Sequence, residues 1–115
     1  MATHREVEVF LADFHAKMKI WNVLYRDERS KNSQALADLE LRPVDRTKIL
    51  ESLKPLDYSE GPLTETLYGG KDMWVFGKEI KSQEIYIKIT LGFAGGSVIC
   101  ISFHIAEHPM IYPLK

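Results

Sequence analysis

The sequence predicts an α+β domain in which N-terminal helices pack on an antiparallel β-meander. Two observations predict it. Up to about residue 54 the apolar residues recur at the spacing of amphipathic helices, and from Trp74 onward they alternate with period two. The changeover falls in Lys54–Gly70, a stretch with two prolines and three glycines that reads as loop. At 115 residues the chain fits one domain, 1–115, and is too short for two substantial cores.

Val7, Phe10, Leu11, Phe14 and Met18 mark a helix over residues 4–19, with Thr3 or the acidic residues after it supporting its start. Ile20–Tyr25 is short, aromatic and β-branched, which predicts a strand. A short helix at about 32–40 carries Leu36 and Leu39. Another at about 44–54 buries Val44, Ile49, Leu50 and Leu53, opened by Pro43 and ended by Pro55. Trp74–Ile80, Gln83–Leu91 and Ser97–Ile105 then read as three consecutive strands, joined at Lys81-Ser82 and Gly92–Gly96. The tail from Ala106 contains Pro109 and Pro113 and is expected to lie across the surface or a sheet edge.

The charge balance gives no global field for nucleic acid. Formal net charge is −1, with ten Lys/Arg against eleven Asp/Glu up to residue 60 and five against five beyond it. Any RNA site must be a local arrangement. One cysteine, Cys100, precludes an intrachain disulfide and reads as a buried filler. The N-terminus carries charges in place of a secretory apolar stretch, and the apolar run Val98–Phe103 is far too short to span a bilayer. A cytoplasmic protein without membrane contact is expected.

The last two strands carry the chemistry. In Glu84–Thr90, Ile85, Ile87 and Ile89 share one face while Tyr86, Lys88 and Thr90 share the other. In Val98–His104, Cys100, Ser102 and His104 oppose Ile99, Ile101 and Phe103. The helices must cover the isoleucine side, so the other side presents Tyr86, Lys88, Ser102 and His104 together. A hairpin folded about Ala94 sets Tyr86 opposite Ser102, Lys88 opposite Cys100, and His104 diagonal to Tyr86. A phenol, an ammonium and an imidazole on one sheet face meet the needs of RNA cleavage through the 2′-hydroxyl. That reaction needs a base, an acid and a positive group for the phosphorane. An imidazole suits proton transfer, a lysine the phosphate charge, and a tyrosine phosphate orientation or base stacking. Lys71, Lys78 and Lys81 are placed to rim a groove for RNA, alternating with Asp72, Glu79 and Glu84. The same residues also describe any solvated sheet face with mixed charge. Trp74 and Phe76 read as packing residues.

His104-Ile-Ala-Glu107-His108 spells the inverted zinc-protease signature. The signature requires a helix, whereas here it follows a β-periodic run and meets Pro109. No metal or cofactor is expected, and a zinc hydrolase stands as a lesser alternative.

The segments VLYRDERS, QALADLEL, ILESLKPLDYSEG, MWVFGKEI, EIYIKIT and VICISFH, in this order, resemble the toxins of the motility quorum-sensing regulator family, within the RelE-like ribonucleases. The most specific piece is Tyr86-x-Lys88-Ile-Thr followed by Ser102-Phe-His104. The resemblance covers most of the chain, from the first helix to about His104. It implies a RelE-like toxin fold and a metal-independent endoribonuclease that cuts messenger RNA. It also implies silencing by a cognate antitoxin, often with a zinc-binding domain and a helix-turn-helix. The family's catalytic tyrosine falls on Tyr86, and its lysine near the end of the last strand on His104. Another family lysine falls within one residue of Lys54, and a glutamine falls on Glu65. The exchange of lysine for His104 keeps a proton-transfer group, whereas Glu65 trades an amide for a carboxylate. A non-catalytic binding module of the same fold is the alternative from a different class.

Overall fold

The computed structural model describes residues 1–64, 66–67 and 70–115. Helix α1 (His4–Trp21) begins at Thr3, whose side chain accepts from the Glu6 N–H while the Glu6 carboxylate accepts from the Thr3 N–H. Val7, Phe10, Leu11, Phe14 and Met18 are its buried stripe. The helix runs on through Ile20 and Trp21, where the sequence predicts strand. Both side chains are exposed, so no sheet contact competes with the helix there. Asn22, at φ 66°, ends it and the strand shrinks to β1 (Val23–Tyr25).

Helix α2 (Ser30–Asp38) turns Asn32 and Ala35 inward, with Leu39 just beyond its end. The apolar face is therefore one residue away from the predicted Leu36–Leu39 pairing, because Leu36 is only half-buried. Helix α3 (Pro43–Glu51) buries Leu50, with Leu53 just after it, and Arg46, but leaves Val44 exposed, contrary to its predicted burial. Arg46 takes the inner position because its charge is met. It holds Asp27 through both guanidinium ends at 2.7 and 3.1 Å and stacks over Tyr25, 3.6 Å from the ring centroid.

After a 3-10 turn at Pro55–Asp57 come β2 (Tyr58–Leu63), β3 (Met73–Ile80), β4 (Gln83–Thr90) and β5 (Val98–Ile105). They form one five-stranded sheet in the order β1-β5-β4-β3-β2, with β1 parallel to β5 and the other pairs antiparallel. The predicted meander is β3–β5. Of the two flanking strands, β1 is the predicted strand shortened at its start, and β2 falls where the sequence reading placed loop. YSEGPL has no alternation and contains Pro62, a residue that only an edge strand tolerates. Its pairing with β3 is accordingly irregular. Tyr58 anchors it: the buried phenol donates to the Gly61 carbonyl at 2.5 Å and accepts from the Ala2 N–H. The Lys81-Ser82 turn holds positive φ at both residues, 51° and 67°, as a tight hairpin requires.

The core lies between α1, α2, α3 and one sheet face, where Ile85, Ile87, Ile89 and Phe103 meet Phe10, Phe14 and Leu50. Trp74 stacks on Phe10 with centroids 4.6 Å apart. The helices thus cover the isoleucine side, as the alternation requires. No helix among the described residues is long and apolar enough to cross a membrane.

Beyond Tyr25 the β5 edge loses its strand partner, and Asn32 replaces it. The Asn32 amide donates to the Ile101 and Arg26 carbonyls, both at 2.9 Å, and accepts from the Phe103 N–H at 3.0 Å. One buried side chain thereby stands in for a missing strand. Asn32→Leu leaves the buried Phe103 N–H without its partner, while the Ile101 and Arg26 carbonyls keep donors from Arg29; a loss of about 2 kcal/mol is expected from the desolvation cost of one orphaned polar group. Urea denaturation measures it; a change within about 0.5 kcal/mol, the range of surface substitutions, contradicts the role.

Candidate functional site

Tyr86 pairs directly with His104 and Lys88 with Ser102, whereas further along Ile89 pairs with Cys100 and Thr90 with Ile99. One extra residue, Ile101, therefore sits on β5 between Cys100 and Ser102 as a β-bulge. This corrects the predicted register, which set Tyr86 opposite Ser102 and Lys88 opposite Cys100. The connection after β4 is not symmetric about Ala94: Gly92 and Gly95 both hold positive φ, and Lys17 binds the Leu91 and Phe93 carbonyls. The bulge reverses which face each neighbouring side chain takes. Cys100 consequently enters the core, where burial pushes its thiol up to about 12. Ser102 and His104 stay on the outer face with Lys88 and Tyr86.

The consequence is a tighter site than the sequence implies. The Tyr86 and His104 rings stack with centroids 5.2 Å apart and planes within 13°. The Lys88 ammonium lies 5.8 Å from the Tyr86 ring centroid. His104 Nδ1 lies 3.0 Å from the Ile105 carbonyl oxygen. A carbonyl only accepts, so Nδ1 carries the hydrogen and Nε2 of the neutral ring keeps a lone pair. These four side chains line a cleft of about 910 Å³, flanked by Arg29 and Lys31, by the β2 segment Ser59–Leu63, and by the tail from Glu107 to Pro113.

Two members of this cleft escaped the sequence reading. Arg29 precedes α2 and reaches the bulge, where Nη1 donates to the Ile101 carbonyl at 3.2 Å and to the Ser102 hydroxyl at 3.3 Å. Ser102 is itself buried, so it positions Arg29 more than it meets solvent. Glu60 comes from β2, the strand predicted as loop. No spacing rule links either residue to β4 and β5; only the chain's return to both sides of the sheet brings them in.

Electrostatics divide the site into roles. Burial raises the Tyr86 phenol above its ordinary value, and the Glu60 carboxylate adds to this against Arg29. Tyr86 is therefore a hydrogen donor at neutral pH. Burial lowers the Lys88 ammonium, as does Arg29, while Glu60 opposes them. Glu60 favours the protonated form of both groups, and Arg29 works against it at both.

The remaining expected site residues lie elsewhere. Lys54 is exposed at the start of the 3-10 turn and does not line the cleft, because its side chain precedes the turn that brings Ser59 and Glu60 in. Lys71 borders a separate groove beside Phe10 and Trp74. Lys78 falls on the helix side of the sheet and pairs with Asp57 at 3.0 Å. Lys81 donates to the carbonyls of Leu39 and Glu40 beyond the end of α2. None of the four rims the cleft, since each has a local carbonyl or acidic partner or sits on another face. Glu65, and Gly69 of the Gly69-Gly70 pair, lie outside the described residues. The His104–His108 signature spans the end of β5 and a bend, without the helical turn its geometry needs. Its Glu107 pairs with Lys31 at 2.6 Å. Among the described residues no group of three or more His, Cys, Asp or Glu is placed to hold a metal ion.

The chain matches no protein-family model, no curated protein and no solved structure.

Replacing Glu60 by Gln removes the charge that raises both Lys88 and Tyr86, so both titration midpoints are expected to fall. NMR titration of the Tyr86 ring and the Lys88 side chain reads this; midpoints that stay or rise would contradict the arrangement.

Proposed function

We propose that this protein is a ribonuclease toxin that cuts messenger RNA through the 2′-hydroxyl, with no metal in the chemistry. The observation that carries the reading is the stacked Tyr86–His104 pair beside Lys88 and Arg29 in one cleft. His104 Nε2 takes the 2′ proton as O2′ bonds to phosphorus. Lys88 and Arg29 balance the charge gathering on the phosphorane, in a site where partial burial strengthens them. The P–O5′ bond breaks and the departing oxygen takes the Tyr86 phenolic hydrogen. Solvent then returns one proton to Tyr86 and removes one from His104. The products are a 2′,3′-cyclic phosphate and a 5′-hydroxyl.

The residue pattern that resembles the quorum-sensing regulator toxins supports the wider setting. In that setting the protein works in the cytoplasm, on messenger RNA, and a cognate antitoxin silences it. Such antitoxins often carry a zinc-binding domain and a helix-turn-helix. A second reading, a non-catalytic binding module, is favoured by one feature, the Glu60 carboxylate inside the cleft. It repels phosphate unless Arg29 and Lys88 outweigh it.

Incubating the purified protein with single-stranded RNA in chelator separates the two. Cleavage to cyclic-phosphate ends is expected, with loss on replacing the scissile 2′-hydroxyl by hydrogen. His104→Ala is expected to lower the rate by about 10²–10⁴-fold, the range for one proton-transfer group, and to abolish growth arrest on induction. Intact RNA at high enzyme concentration leaves only the binding module, and a folded, fully active His104→Ala variant removes His104 from the mechanism.

A further inference from the structure

We propose that the C-terminal tail, residues 106–115, is the base-binding wall of this cleft and sets which nucleotide sits beside the cut; the inference rests on the reading that the cleft holds RNA. The floor of the cleft consists of Tyr86, Lys88, Ser102 and His104, with Arg29 and Glu60 at its sides. These groups suit ribose and phosphate. RNA cut as a single strand must also place its splayed bases against apolar or aromatic surface. The tail supplies much of that surface through Pro109, Met110, Ile111 and Pro113. Ile111 is 77% exposed, so its side chain is open to contact from the cleft.

The tail is seated by specific bonds. Glu84, on the same face as Tyr86, accepts from the Met110 N–H at 3.0 Å and from the Tyr112 hydroxyl at 2.7 Å. Its own carbonyl accepts from the Ala106 N–H at 2.8 Å, which turns the chain back as β5 ends. The seat itself is Gly77, the cross-strand partner of Tyr86. A Cβ at Gly77 would overlap the Tyr112 hydroxyl and the Met110 sulfur, so the bare position is what lets the tail approach the Tyr86 ring's strand. An exposed Lys31–Glu107 pair, 2.6 Å apart, links the start of the tail to α2. The cleft volume of about 910 Å³ lies at the upper end of the range that encloses small ligands, enough for a nucleotide with part of its neighbour.

Fluorescence anisotropy with short non-cleavable 2′-O-methyl RNA oligonucleotides of varied base, paired with cleavage of the matching ribo-oligonucleotides, tests the wall on the full chain. The double variant Met110→Ala/Ile111→Ala removes two of the tail's apolar side chains without adding bulk at its seat, and Gly77→Val unseats the tail; thermal unfolding checks that each folds. Both are expected to bind about tenfold more weakly, the scale of one lost apolar side-chain contact, and to lose the wild-type ranking of bases. For cleavage, KM rises about tenfold while kcat stays within twofold. Wild-type affinity and base ranking in a folded double variant overturn the tail's role while leaving the ribonuclease reading intact. Tail-dependent binding without cleavage by the wild type supports the wall and sinks the ribonuclease reading. No binding by the wild type overturns both.

Discussion

The outer face of the sheet depends on one extra residue in β5. If β4 and β5 paired without the bulge at Ile101, the alternation of either the core segment Val98–Cys100 or the site segment Ser102–His104 would be inverted. The bulge lets both segments face the way their chemistry needs. Asn32 holds it in place by bonding the carbonyl of Ile101 and the N–H of Phe103, and Arg29 bonds the same carbonyl from the cleft side. A bulge in a strand usually leaves a backbone group unpaired. Here that group becomes the mounting point for a cation beside the reactive face. Fold stability and site geometry therefore share one hydrogen-bond cluster, and α2 belongs to both.

The site's charge pattern follows from this placement. Arg29 and Lys88 repel each other within a partly buried cleft, and Glu60 from the opposite edge relieves them. Burial raises the Tyr86 phenol, and the same carboxylate adds to that rise. A chain with a net charge of −1 can thereby gather Arg29 and Lys88 in one cleft without a basic surface. The arrangement also separates the polar floor, on β4 and β5, from the apolar tail.

Period and composition made the central architecture readable. The isoleucine alternation located the core face of β4, and Tyr86, Lys88, Ser102 and His104 do share the opposite face. What alternation cannot express is an insertion of one residue, so the pairing of Tyr86 with His104 was not legible, nor was the inward turn of Cys100. Strand β1 was legible at Val23–Tyr25, but its start was not, because α1 outran its apolar stripe through Ile20 and Trp21. Strand β2 hid in a Gly-Pro segment that pairs at a sheet edge without needing a pattern of its own. Glu60 was lost with β2, and Arg29 was lost because its role depends on the bulge. The lysines at 71, 78 and 81 illustrate the converse: proximity in sequence to reactive strands says nothing of which face or which carbonyl a long side chain will find.

The claim on which the rest stands is that the Tyr86 and His104 rings lie face to face on the outer side of the sheet. A two-dimensional NOE spectrum of the folded protein tests it without reference to activity. Mutual cross-peaks between the Tyr86 ring protons and the His104 ring protons are expected. Cross-peaks from either ring to the methyl groups of Ile87 or Leu50 in the core, with none between the rings, would contradict it.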